Sequence, residues 1–167
     1  AARTGGQANL AGLNVLVVDD NATNRRILGD MLRHWDARPA LAEDAGAAML
    51  RMRAASAEGC PFSLVIVDGC MPDVDGFGLV EQIRREPGLA GATIMMLTSL
   101  DRQHDQRRCR ELGVRAYLVK PVTQPDLLEA ICRALGAPRG AAHTPPEAAA
   151  LCPAGRALRV LVAEDNL

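Results

Sequence analysis

Asp19 and Asp20 close one short apolar run, Val15-Leu16-Val17-Val18, and Asp68 closes another, Leu64-Val65-Ile66-Val67. Thr98 follows Thr93-Ile94-Met95-Met96-Leu97, and Lys120 follows Ala116-Tyr117-Leu118-Val119. Clustered carboxylates repel one another unless a cation lies between them. All-oxygen ligation with room for water suits Mg²⁺ or Mn²⁺ better than zinc. A metal held by carboxylates alone can be purely structural, and a single polar residue after a strand is often only a turn former or a cap. Lys120 and Thr98 serve no purpose for a lone cation, but they fit a site that an anion also visits. A phosphoryl group calls for a divalent ion and an ammonium against its oxygens, a hydroxyl donor and an in-line nucleophile. Asp68 would be that nucleophile, forming an acyl phosphate. On these residues alone, a structural metal centre and a phosphoryl acceptor both stay open.

The apolar runs read as strands buried on both faces. Between them lie helical patterns. Ile27, Leu28, Met31, Leu32 and Trp35 recur at helical spacing behind a cap at Asn21 or Thr23. A weak strand at Arg38–Ala42 precedes a helix capped by Asp44, with Ala48, Met49, Met52 and Ala55 on one side and an end near Gly59. Leu79, Val80 and Ile83 mark the next helix, closed by Pro87-Gly88. A polar helix runs from about Asp101 to Leu112, and Leu127, Leu128, Ile131, Cys132 and Leu135 form the stripe of the last one. Strands alternating with helices predict a parallel sheet covered on both faces, which binds ligands at the carboxyl ends of its strands. Four of the five strand ends carry the polar residues named above; the second strand does not.

Composition excludes several classes. The 167 residues carry a net charge of -1, which gives no electrostatic case for nucleic acid or an anionic membrane. The five cysteines (Cys60, Cys70, Cys109, Cys132, Cys152) are odd in number and lack C-x-x-C spacing, against both a disulfide framework and a zinc site. Reduced thiols predict a cytosolic setting. No apolar run reaches the length of a bilayer span, and no signal peptide opens the chain. Aromatics are only Trp35, Phe62, Phe77 and Tyr117, so the core is to be built from aliphatic residues and methionine.

Taken in order, Val-Leu-Val-Val-Asp19-Asp20-Asn21, Val-Asp68-Gly-Cys70-Met71-Pro72-x-x-Asp75-Gly76, Leu-Thr98-Ser99 and Tyr117-Leu-Val-Lys120-Pro121 resemble the receiver domains of bacterial two-component response regulators. The resemblance covers about Leu13 to Leu135. It implies an α/β fold of the flavodoxin-like doubly wound (βα)5 type, with a five-stranded parallel sheet in the order 2-1-3-4-5. Asp68 is then the phosphoacceptor. Mg²⁺, with Mn²⁺ as a substitute, is bound by Asp20, Asp68 and the main-chain carbonyl of Cys70, Asp19 acting largely through water. Lys120 pairs with a phosphoryl oxygen, and the Lys120–Pro121 bond is cis. Thr98 swings towards the phosphoryl group and Tyr117 turns into the space it leaves. Met71, Pro72 and Gly76 shape the loop, and small Ser99 keeps access open. Neither Cys70 nor Leu100, at two positions that govern acyl-phosphate lifetime in this family, readily positions a hydrolytic water, so slow self-dephosphorylation is expected. The implied partners are the phosphohistidine domain of a histidine kinase and a histidine phosphotransfer domain, with no nucleic acid and no membrane contact by this segment; a dimer through the last two helices and fifth strand stays open, and the residues do not establish it.

The end of the chain, Leu158-Arg-Val-Leu-Val-Ala-Glu164-Asp165-Asn166, repeats the pattern of Leu13-Asn-Val-Leu-Val-Val-Asp19-Asp20-Asn21. The expected organisation is therefore a linker over 1–12, a receiver over 13–136, an Ala/Pro-rich linker over 137–157 and the first strand of a second receiver over 158–167. Tandem receivers, with the Asp-Asp-Asn-x-x-Asn24-Arg25 form of the first motif, resemble hybrid sensor histidine kinases, whose parent chain can be membrane-anchored. His34, His104 and His143 lack the surroundings of a phosphorylatable kinase histidine. A haloacid-dehalogenase-type phosphatase would want an Asp where Cys70 stands, and a dinucleotide fold would want G-x-G-x-x-G where Asp19-Asp20 stand. A receiver-like module that is never phosphorylated remains the other alternative.

Overall fold

A computed structural model describes residues 10–71, 75–98 and 103–136. Five strands alternate with five helices: β1 (Asn14–Val18), α1 (Ala22–His34), β2 (Arg38–Ala42), α2 (Ala45–Ala57), β3 (Leu64–Asp68), α3 (Gly76–Arg85), β4 (Thr93–Thr98), α4 (Gln103–Glu111), β5 (Ala116–Val119) and α5 (Gln124–Gly136). The strands pair in parallel in the order β2-β1-β3-β4-β5, as expected. Every position of β3 is buried, which explains its unbroken Leu-Val-Ile-Val run.

Strand side chains alternate between two cores. Leu16, Val18, Val65, Val67, Ile94 and Met96 face α2, α3 and α4, while Val15, Val17, Leu64, Ile66, Met95 and Leu97 face α1 and α5. Burying a side chain of this size contributes about 2 kcal/mol before entropy is counted. Chain direction across the sheet reverses between β1 and β3, and the crevice beyond their carboxyl ends is where such a sheet accommodates a ligand.

Two details depart from the sequence expectations. Ile27 is 47% exposed: α1 buries Leu28, Gly29 and Leu32 instead, so the apolar spacing overstated the width of its inward face. Leu10, in the segment expected to be a linker, is buried with Val15 and Leu28, and the Gly12 amide donates to the Asp36 carbonyl at 2.8 Å. α4 buries Cys109 as it packs on the Met96 side of the sheet. Trp35 forms the C-cap of α1, its amide donating to the Leu32 carbonyl at 3.1 Å.

Pro72, Ser99, Leu100, Asp101, the linker over 137–157 and the repeated segment over 158–167 lie outside the described residues. Among the described residues, no helix is long and apolar enough to cross a membrane.

Candidate functional site

The corner after β1 is built by side chains that hold the backbone. Asn21 caps α1, accepting from the amides of Thr23 (2.9 Å) and Asn24 (3.2 Å). Its own amide donates to Asp19 Oδ1 at 2.8 Å and so keeps that carboxylate turned inward. From the first turn of α1, Arg25 folds back, and its Nη1 donates to the main-chain carbonyls of Asp19 (2.6 Å) and Asp20 (2.9 Å).

At the end of β3, the Gly69 amide continues the ladder by donating to Leu97 O at 2.7 Å, and the Cys70 amide donates to Asp68 Oδ1 at 3.1 Å. The start of α3 then packs beneath Asp68. A Cβ on residue 76 would stand 2.2 Å from the Asp68 carbonyl oxygen, so only glycine fits there. Asp75 caps α3 through Gly78 N at 2.7 Å. Across the sheet, Lys120 N donates to Thr98 O at 2.7 Å, which extends the β4–β5 pairing and delivers the lysine to the crevice. The Lys120–Pro121 bond is cis.

These elements bring Asp19, Asp20, Asp68 and Lys120 together. One oxygen from each aspartate lies within 4.8 Å of the others. Asp19 is fully buried and Asp68 is 3% exposed, whereas Asp20 opens to solvent. Lys120 Nζ donates to Asp68 Oδ2 at 2.8 Å and to Asp19 Oδ2 at 3.1 Å. Burial acts to lower the pKa of Lys120, but its hydrogen bonds to Asp68 and Asp19 and their negative charges outweigh that and raise it. Three carboxylates against one ammonium leave the cluster net negative, a donor set that fits a hard divalent cation beside Lys120.

Thr98 is buried at the end of β4, beside this cluster in the strand order. Tyr117 is half-buried on β5 and packs against the core on the α2–α4 side. Met71 is buried in that same core, and the Cys70 side chain is exposed. The sequence reading gave no role to Arg25, nor to Asp75 as a cap. The Asp three residues before the Gly78 amide is a signal for the cap, whereas nothing local points to the carbonyls that Arg25 reaches.

Comparison with known proteins agrees with this geometry. The family model described as "Response regulator receiver domain" matches residues 15–132. The chain belongs to the response regulator receiver domain family. It is 30% identical over 117 residues to the chemotaxis protein CheY-3 of Vibrio cholerae, covering 70% of this chain and 87% of that protein. It is 36% identical over 121 residues to the probable transcriptional regulator ycf27 of Pyropia yezoensis, 72% of this chain but only 46% of that protein. Among solved structures, chemotaxis protein CheY4 of Vibrio cholerae superimposes with a TM-score of 0.68 at 27% identity, covering 75% of this chain and all of that one.

Proposed function

We propose that this receiver domain accepts a phosphoryl group on Asp68 from the phosphohistidine of a histidine kinase and changes conformation in response. The observation that carries the reading is the ammonium of Lys120 bonded at once to Asp68 and Asp19, two buried carboxylates from different strands. A purely structural carboxylate–metal site has no need of that lysine.

In the proposed step, an Asp68 carboxylate oxygen attacks phosphorus in line with the P–N bond. That bond breaks, its electron pair leaves with the imidazole, and an acyl phosphate forms on Asp68. On this reading Lys120 pairs with a phosphoryl oxygen and the Thr98 hydroxyl donates to another. Asp20, Asp68 and the Cys70 carbonyl would hold Mg²⁺, or Mn²⁺ in its stead, with Asp19 behind them, and the ion supplies positive charge to the phosphoryl oxygens. Arg25 and the Asn21 amide keep the acidic corner in shape. Tyr117 turns inward as Thr98 moves. Phosphorylation shifts the population towards the active state only through contacts stronger there than in the resting state.

Supply of the phosphoryl group by a kinase in the same parent chain, and its passage to a histidine phosphotransfer domain, fit the repeated Leu158–Asn166 pattern and the Asn24-Arg25 motif. On this reading the domain works in the cytoplasm as a signalling module. Slow self-dephosphorylation follows from Cys70 and Leu100, and an acyl-phosphate lifetime of seconds would count against it.

The test is intact-mass analysis after incubation with acetyl phosphate or phosphoramidate and Mg²⁺, beside Asp68→Asn. Addition of one phosphoryl group that needs both Mg²⁺ and Asp68 is the expected result. No addition from any donor while Mg²⁺ binds would identify a module that folds and binds but is never phosphorylated.

A further inference from the structure

Asp75, at the far end of the loop that begins at Asp68, uses its two carboxylate oxygens for different purposes. Oδ1 caps α3 through Gly78 N at 2.7 Å, and Oδ2 receives Arg108 Nη1 from α4 at 3.2 Å. The same guanidinium lies over the ring of Phe77, 4.4 Å from its centroid, and Phe77 is itself buried. Arg108 therefore grips both residues that flank Gly76. Gly76 is where the chain runs tightly beneath the Asp68 carbonyl. An exposed ion pair alone is a weak tether. An ion pair, a cation–π contact and a helix cap sharing one guanidinium and one carboxylate hold better, because each contact orients the others.

We infer that Arg108 is a positioning residue for the phosphoacceptor site: acting through Asp75 and Phe77, it fixes the start of α3 against Asp68 and thereby couples α4 to cation binding. The inference rests on the proposed reading of the site. Coupling is reciprocal by thermodynamic necessity. If the Arg108–Asp75 contact favours the loop geometry that binds the ion, then the ion favours the contact and steadies α4 by the same factor. A residue that only adds stability would not link the two.

The test uses Mg²⁺ alone, with affinity read by titration calorimetry and α4 read by amide hydrogen exchange. Arg108→Met and Asp75→Asn are compared with the unsubstituted chain, Arg108→Lys and the double variant. Asn caps helices about as well as Asp, so Asp75→Asn removes the charge and keeps the cap. Each single variant is expected to weaken Mg²⁺ binding about threefold, the double variant no further, and Arg108→Lys less than Arg108→Met. Mg²⁺ should slow exchange of the Arg107–Glu111 amides in the unsubstituted chain and not in Asp75→Asn. Unchanged Mg²⁺ affinity in both single variants, or α4 protection by Mg²⁺ that persists in Asp75→Asn, overturns the inference while leaving the site reading intact. Failure of the unsubstituted chain to bind Mg²⁺ overturns the site reading, and the inference with it.

Discussion

Lys120 reaches past the end of β4 to put its ammonium 2.8 Å from Asp68 Oδ2, although β5 and β3 are not neighbours in the sheet. Asp19, from β1 on the other side of β3, shares the same ammonium at 3.1 Å. Three strands are thus tied at one point by a single positive charge.

Lys120→Met leaves two buried carboxylates side by side without that charge. Breaking a fully buried pair costs about 3–5 kcal/mol, and the 22% exposure of the Lys120 side chain reduces this to about 2 kcal/mol. Urea unfolding should show that loss in metal-free buffer and a smaller one with Mg²⁺, since a bound cation takes over the neutralisation. Calorimetry should also show tighter Mg²⁺ binding, because the competing ammonium is gone, while phosphoryl uptake falls. An unfolding midpoint that does not move would contradict this account.

The raised pKa of Lys120 sets a pH dependence. For a base whose pKa is higher folded than unfolded, the stabilisation is complete below the unfolded value, ordinarily 10.5, and is lost as pH rises through the folded one. Lys120 should therefore contribute no pH dependence to stability between neutrality and about pH 9. Stability curves of the unsubstituted chain and Lys120→Met should run parallel over that range and converge only at strongly alkaline pH. Convergence near pH 8 would mean that the carboxylates do not hold the proton on Lys120.

Gly76→Ala forces a methyl to 2.2 Å from the Asp68 carbonyl oxygen, with Val67 Cγ1 at 3.0 Å. Backbone on one side and a core side chain on the other leave little to yield, so we expect a loss of about 1–3 kcal/mol with slower phosphoryl uptake. Gly88→Ala is the control, since its added Cβ meets only Ser56 Oγ at 3.9 Å. Chemical denaturation of the two variants should separate them clearly.

On α1, Leu32 is fully buried and Ile27 is 47% exposed. Leu32→Ala should cost about 2–5 kcal/mol and Ile27→Ala less than about 1 kcal/mol. Equal losses would show that Ile27 is covered in solution.

The sheet was legible because β1, β3 and β4 are buried on both faces and read as nearly unbroken apolar runs, and because each strand but β2 ends in a residue with chemistry to offer. Asp19, Asp20, Asp68 and Lys120 could be gathered on paper for that reason. Ile27 was misjudged because helical spacing marks a stripe without giving its width. Leu10 was read as linker because one apolar residue among small polar ones carries no period. Arg25 on the Asp19 and Asp20 carbonyls, and Arg108 on Asp75 and Phe77, were beyond reach. A long flexible side chain chooses its partner from what the finished fold brings near, and no spacing along the chain encodes that choice.

Trp35, the only tryptophan, stands at the C-cap of α1, and Asn21 at the other end of the same helix adjoins the acidic cluster. Along a helix that distance is about 20 Å. Tryptophan emission is thus expected to follow global unfolding with little direct quenching by a group bound at the Asn21 end of the helix. A reporter of activation is therefore better placed near the crevice, where Tyr117 is proposed to turn, than at the far end of α1.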